Sequence, residues 1–250
     1  RQAKGSNIIW NADLINKNKK TLLYGEDFTF TFAENAEEAA EKIAEIYQEE
    51  LERNGGDLDM VQVLSPIRVK TEAGVNALNS RLQEIANPFS VQKAEWKTAC
   101  GLFRTGDRLM QTHNTEEVSN GDIGRAVQIG KSKDGEMELT VDFGDTRKTY
   151  QEEDLGILDF AYATSIHKSQ GAEFPVVIIP VLSCFKRMLK RNIYYTGITR
   201  AKLRVHLVGT KQALYTAISN SDTGKRNTLL AVRLRAEAKR LGILPTQEAA

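Results

Sequence analysis

The sequence predicts an α/β fold, a parallel sheet covered on both faces and interrupted by a small all-β barrel. Three observations carry that expectation. Two short apolar runs, 176–182 and 205–208, are rich in β-branched residues and bounded by Pro, Gly or charge, as strands buried on both faces are. A strand at 60–64, a polar loop and a helix over 72–86 form one strand–loop–helix unit. Between Gly106 and Tyr150, short β-like pieces are separated by the turn formers Asn120-Gly121-Asp122, Asp134-Gly135 and Gly144-Asp145, a spacing typical of a small barrel.

In chain order, Ile8, Ala12 and Ile15 give a first helix an apolar stripe. Residues 21–32 alternate weakly and read as a strand or hairpin. Asn35 caps a strong helix, with Glu38 completing a capping box. Ala39, Ile43, Ile46, Tyr47 and Leu51 form its buried face, and Asn54-Gly55-Gly56 ends it. Its outer face is acidic and reads as solvated. The helix over 72–86 turns Val75, Leu78, Leu82 and Ile85 inward. The barrel strands are expected at 109–112, 123–129, 137–143 and 146–150, and a helix at 211–218. Residues 236–250 read as a helical extension or a disordered tail.

The 250 residues carry a net charge of +1, so no global field points to nucleic acid; the charge is sorted locally. From Glu26 to Asp59 there are twelve acids against Lys42 and Arg53. Between Lys186 and Arg204 the balance reverses: Lys186, Arg187, Lys190, Arg191, Arg200, Lys202 and Arg204 stand without an acid among them. Such a block beside a buried strand fits an anionic partner, phosphate above all; a basic helix face paired with acids from elsewhere is the alternative. Cys100 and Cys184 make no motif with each other or with His113, His167 and His206, so they read as reduced structural thiols of a cytoplasmic protein with no metal site. No apolar run approaches a membrane span. Gly130-Lys131-Ser132 imitates the end of a phosphate-binding loop, but Arg125 stands where its first glycine is needed and Asp134-Gly135 makes a turn where a helix should start.

Two longer patterns are more specific. Ser165-Ile166-His167-Lys168-Ser169-Gln170-Gly171-Ala172-Glu173-Phe174 precedes the first apolar strand, and Tyr195-Thr196-Gly197-Ile198-Thr199-Arg200-Ala201-Lys202 precedes the second. Together they resemble the last two helicase motifs of superfamily 1 DNA helicases, closest to the RecD-like branch. Ser165 stands where Thr is usual, and Gly197 where Ala is usual, the latter loosening a helix by roughly 1 kcal/mol. The opening Arg1-Gln2 resembles the segment after the third helicase motif, and the start without Met suggests a fragment. Gly106-Asp107-x-x-Met110-Gln111 and Asn120-Gly121-Asp122-Ile123-Gly124 resemble the family's SH3-like insertion, and Lys225-Arg226-Asn227-Thr228 the end of its motor domain.

The resemblance implies the second RecA-like motor domain, a P-loop NTPase-like parallel sheet, over 1–88 and 158–234, an SH3-like insertion over 89–157 and a tail over 235–250. It implies the C-terminal half of an ATP-dependent helicase that moves 5′ to 3′ on single-stranded DNA and unwinds duplexes in repair and recombination. Arg200 and Arg1 would reach the γ-phosphate. Gln170, Gly171 and Glu173 would line the nucleotide. Ser65, Arg68, Gln111, His113, Asn114, Ser165, His167 and Lys168 would face DNA, although Arg68 also reads as a surface arginine, and Asn120-Gly121 are sufficiently explained as turn formers. ATP and Mg2+ are the implied cofactors, with the Mg2+ ligands outside this chain, and a first motor domain is the implied partner. A conjugative relaxase's helicase domain, or the RecD subunit of an exonuclease V complex, is a rival within the family. A non-catalytic nucleic-acid adaptor or a protein-interaction module is a rival of another class; neither needs Arg200 in its full motif.

Overall fold

A computed structural model of the chain describes residues 5–221 and 230–241. Residues up to Asn220 form one compact unit and those from Ser221 another. The first opens with α1 (Asn7–Asn16), capped by the Ser6 hydroxyl. There follow β1 (Phe28–Phe32), α2 (Ala36–Arg53), β2 (Val61–Ser65) and α3 (Val75–Ala86). A hairpin, β3 (Glu95–Thr98) and β4 (Gly101–Arg104), leads into β5 (Arg108–Gln111), β6 (Ile123–Lys131), β7 (Met137–Asp142), β8 (Arg147–Tyr150) and β9 (Leu158–Phe160). The chain then returns through β10 (Ala163–Ser165), β11 (Phe174–Val181), α4 (Arg191–Ile198), β12 (Ala201–Gly209) and α5 (Lys211–Ser219). The second unit holds α6 (Leu230–Arg240), on which Arg240 pairs with Glu237.

The five strands β1-β12-β11-β2-β10 form the parallel sheet. Val176, Val177, Ile178, Ile179, Val205, Leu207 and Val208 are all buried, so the two apolar runs form its centre as expected. Burying each such side chain contributes about 1.5–3 kcal/mol. Helix α2 supplies Ala39, Ile43, Tyr47 and Leu51 to the same core, and α3 supplies Leu78 and Leu82. Asn35 accepts from the Glu38 amide, as the capping pattern predicts, while the Glu38 carboxylate accepts from Glu34 rather than from Asn35.

The inserted strands form an antiparallel sheet in the order β8-β7-β6-β5-β9. It starts and ends close to the expected positions, but β9 and the β3–β4 hairpin are additions. Three or four residues are too short to show a period. Gly130 and Lys131 end β6 and a turn follows, so no phosphate loop forms there. The outer face of α2 is solvated as expected, with Glu37, Glu41, Glu45, Glu49 and Glu52 exposed, but Glu50 sits on the inward side beside Tyr47 and Leu51 and is only 2% exposed. Its carboxylate accepts from Arg204 at 2.6 Å and lies 3.3 Å from His206. Part of the cationic block is thereby paired with an acid from elsewhere. No helix among the described residues is long and apolar enough to cross a membrane.

Candidate nucleotide and nucleic-acid interface

One loop organises the candidate site. Ser165 lies level with Ser65 at the carboxyl ends of β10 and β2, whereas Val176 near the start of β11 lies level with Val61 at the start of β2. Residues 166–173 therefore carry the chain from the carboxyl edge of the sheet back to its amino edge. The Ile166 amide donates to Ser65 and the Ser169 hydroxyl donates to Ile166, which pins the loop's first turn. Gly171 then takes φ +92°, and an added Cβ would find nothing within 4 Å, so the backbone is open on that side.

At the amino edge the loop meets Arg200. Helix α4 ends at Ile198, and Arg200 precedes β12 directly. Its Nε donates to Thr196, Nη1 to the Ala172 carbonyl at 3.1 Å, and Nη2 to the Thr199 hydroxyl. All three acceptors are neutral. Among the described residues Arg200 has no carboxylate partner, so its charge is fixed in place but not neutralised. Glu173 pairs with Lys202 at 3.3 Å, and Gln170 is exposed.

At the carboxyl edge the expected DNA-facing residues divide. His167 is exposed, and Ser165, half-buried, accepts from the Lys168 amide. Arg68 follows β2 and donates through both terminal nitrogens to Asp159, at 2.8 and 2.6 Å. Lys168 donates to the same carboxylate at 3.1 Å. Burial works upward on the Asp159 carboxyl, but the hydrogen bonds from Arg68 and Lys168 outweigh it and hold the group below the ordinary aspartate range. Beside this trio lies a cavity of about 560 Å³ lined by Arg68, Asn76, Ser80, Asp159 and Phe160 among others.

Two expected DNA contacts are corrected. Ser65 is fully buried, and its hydroxyl bonds to Ile67 and Ala73 to shape the turn after β2. Gln111 is fully buried inside the insertion, where it accepts from the Tyr150 hydroxyl. Neither side chain can reach a ligand. His113 and Asn114, just beyond β5, are exposed; Asn114 also accepts from the Asn120 amide and so holds the Asn120-Gly121 turn. Arg1 lies outside the described residues, as do Lys225, Arg226, Asn227 and Thr228.

Sequence reasoning also missed the polar seam that joins the insertion to the parallel-sheet half. Asp107, fully buried, accepts from Gln83, Asn87, the Tyr162 hydroxyl and the Arg104 amide at 2.7–2.8 Å. Burial pushes its carboxyl up even against those four donors. Arg108, also buried, donates to Gln62, to the Ala161 carbonyl and to Asp59. The one signal available was Gly106-Asp107, which stood out as a motif but not as a junction.

A parallel sheet with the two motif loops on it, interrupted by an antiparallel insertion, defines a RecA-like helicase motor domain. Residues 160–208 match the family described as UvrD-like helicase C-terminal domain, and residues 78–143 match the SH3 domain of ATP-dependent RecD-like DNA helicases. The chain is 33% identical over 186 residues to the ATP-dependent RecD2 DNA helicase of Deinococcus radiodurans, covering 74% of this chain and 25% of that protein. It is 31% identical over 160 residues to the RecBCD enzyme subunit RecD of Haemophilus influenzae, covering 63% and 23%. This chain belongs to the RecD-like helicases of superfamily 1, and it spans about a quarter of the length of these relatives. The crystal structure of Pif1 helicase from Bacteroides with ADP-AlF3 and single-stranded DNA shares the fold, with a TM-score of 0.50 at 15% identity over 96% of this chain and 55% of that one.

Proposed function

We propose that this chain is the second motor domain of an ATP-dependent DNA helicase, and that the whole enzyme couples ATP hydrolysis to translocation on single-stranded DNA. The motor domain would occupy 1–88 and 158–234, the insertion 89–157 and the tail 235–250. The family's 5′ to 3′ direction, its work in repair and recombination and a cytoplasmic setting come with the reading. Nucleotide would sit between this domain and a first motor domain of the same protein, which would supply the P-loop. Mg2+ would accompany the ATP; among the described residues no three His, Cys, Asp or Glu side chains gather. The ligands of Mg2+ are assigned to the first motor domain, where the ion would neutralise phosphate charge.

The observation that carries the reading is the Arg200 guanidinium, held by three neutral oxygens and, among the described residues, by no carboxylate. A cation so placed stabilises charge that grows on a transferring phosphoryl group, and it is already oriented before the reaction. Arg1 would act beside it. Gly171 leaves backbone open to the nucleotide, and Gln170 and Glu173 flank it. At the other end of the same loop Ser165, His167 and Lys168, with Arg68, would hold the DNA backbone, and His113 and Asn114 would meet the strand from the insertion. A loop anchored at both edges transmits closure of the nucleotide cleft to the strand.

Arg200→Ala tests this in the complete enzyme. DNA-stimulated turnover should fall by about 10³–10⁵, the range found for arginine fingers. Nucleotide affinity should fall far less, and the melting temperature should fall only slightly, because what is lost is three hydrogen bonds from a partly exposed side chain to neutral acceptors. Arg200→Lys should not rescue, since lysine lacks the planar fork. Near-normal turnover in a stable Arg200→Ala enzyme refutes the assignment.

A further inference from the structure

We infer that Asp159 is an internal stand-in for a backbone phosphate, holding Arg68 and Lys168 until single-stranded DNA displaces it. The inference rests on the DNA-facing reading of those two cations. They come from different loops, one after β2 and one after β10, whose strands end side by side at Ser65 and Ser165. Asp159 comes from a third element, β9, which pairs with β5 of the inserted sheet and places Asp159 opposite Met110.

The geometry is that of an oxyanion on a fork. Both Asp159 oxygens take the parallel terminal N–H groups of Arg68, and Oδ2 is shared with Lys168. A phosphate presents two oxygens to arginine in the same way. A carboxylate so placed therefore competes for the donors that a phosphate needs.

The trio is also reachable. Side-chain exposure is 46% for Arg68, 30% for Lys168 and 22% for Asp159. Ion pairs this open are worth about 0.2–1 kcal/mol, small enough for a polyanion to exchange. The seam around Asp107, by contrast, is sealed from water and unavailable for exchange. With Asp159 in place the cluster presents one net positive charge; without it, two. The carboxylate thus lowers the grip on each phosphate, which suits a motor that must let go of the strand at every step. Because β9 pairs with β5, and β5 leads to His113 and Asn114, displacement of Asp159 is also sensed by the insertion.

The test is oligothymidylate binding by the full chain, followed by fluorescence anisotropy across a salt series. Asp159→Asn should tighten binding at low salt by about twofold to fivefold, the factor one such ion pair commands, and should steepen the salt dependence because more counterions are released. Equal or weaker binding by Asp159→Asn, while Arg68→Ala and Lys168→Ala each weaken it, overturns the stand-in role and leaves the DNA-facing reading intact. If Arg68→Ala and Lys168→Ala change nothing, both fall. A readout on the unaltered chain covers a variant that fails to fold: the Asp159 carboxyl carbon, titrated by NMR with and without oligothymidylate. Its midpoint should rise when DNA takes its cations, and an unchanged or lower midpoint overturns the inference.

Discussion

Helix α4 and the insertion attach to the parallel sheet by opposite means. Helix α4 uses apolar packing: Ile193, Tyr194 and Ile198 are buried against the sheet, and Gly197 sits over Ile179 and Ile166. The insertion uses directional bonds. Asp107, in the turn between β4 and β5, gathers donors from α3, from Tyr162 and from Arg104 at the end of β4, Arg108 reaches Gln62 and Ala161, and Asn79 bonds to Phe160. Apolar contact is non-directional and tolerates small shifts. A buried polar seam fixes one orientation, and each member is costly to lose because its partners are then left unpaired. The side carrying the helicase motifs can thus adjust, while the side carrying Asp159 is held in register with the loops it faces.

The largest effect that would sharpen this contrast is at Asp107. Asp107→Leu removes the acceptor from four buried donors, of which Gln83 and Asn87 each keep one other partner, a loss expected to cost about 3–5 kcal/mol. For a chain of this size each kcal/mol lowers the melting temperature by roughly 2–4 °C. Calorimetry should show a large drop and, if the seam unlocks before the sheet melts, a split transition. A shift of only a degree or two would mean that the insertion is attached by something other than this network.

A smaller effect belongs to the exposed pairs at the edge of the seam. Arg68→Ala and Lys168→Ala should each reduce the magnitude of the salt slope of single-strand binding by about 0.7, the value for one phosphate contact on a single strand. Melting temperatures should barely move, because these pairs are open to solvent. A melting loss comparable to that of Asp107→Leu would place both residues among the structural members of the seam.

The apolar side of the comparison was legible in the sequence, and the polar side was not. The runs at 176–182 and 205–208, the α2 face of Ala39, Ile43, Tyr47 and Leu51, and the Asn35 cap follow from periodicity and local chemistry, which a single segment carries in full. Charge pairing follows from partners far along the chain. Arg68 and Asp159 are 91 residues apart, and Glu50 and Arg204 are 154 apart, so nothing near either one announces the pair. Ser65 and Gln111 misled for a related reason. A polar residue at a strand end resembles a ligand contact until the turn that consumes its hydrogen bonds, or the tyrosine that caps it, is known. Arg200 was found because its motif is long, and its neutral hydrogen-bond partners became visible only in three dimensions.

The smallest expected effect tests the apolar side directly. At Gly197 an added Cβ would lie 3.0 Å from the Ile179 Cδ1 and 3.4 Å from the Ile166 Cδ1. Both are terminal methyls of flexible side chains, which can yield by a few tenths of an ångström. Against that crowding, Ala in place of Gly inside a helix gains about 1 kcal/mol. If the packing is as accommodating as non-directional contact allows, the gain wins. Gly197→Ala should then raise the melting temperature by at most about 2–4 °C. Because Ile166 opens the loop that runs from Lys168 to Gly171, the same variant reports on the path between the two edges of the site. A fall in melting temperature would show Ile166 and Ile179 to be rigidly held, and α4 would then be locked to the sheet as firmly as the insertion is. Turnover that falls while stability rises would instead show that the loop needs the space above Gly197 in order to move.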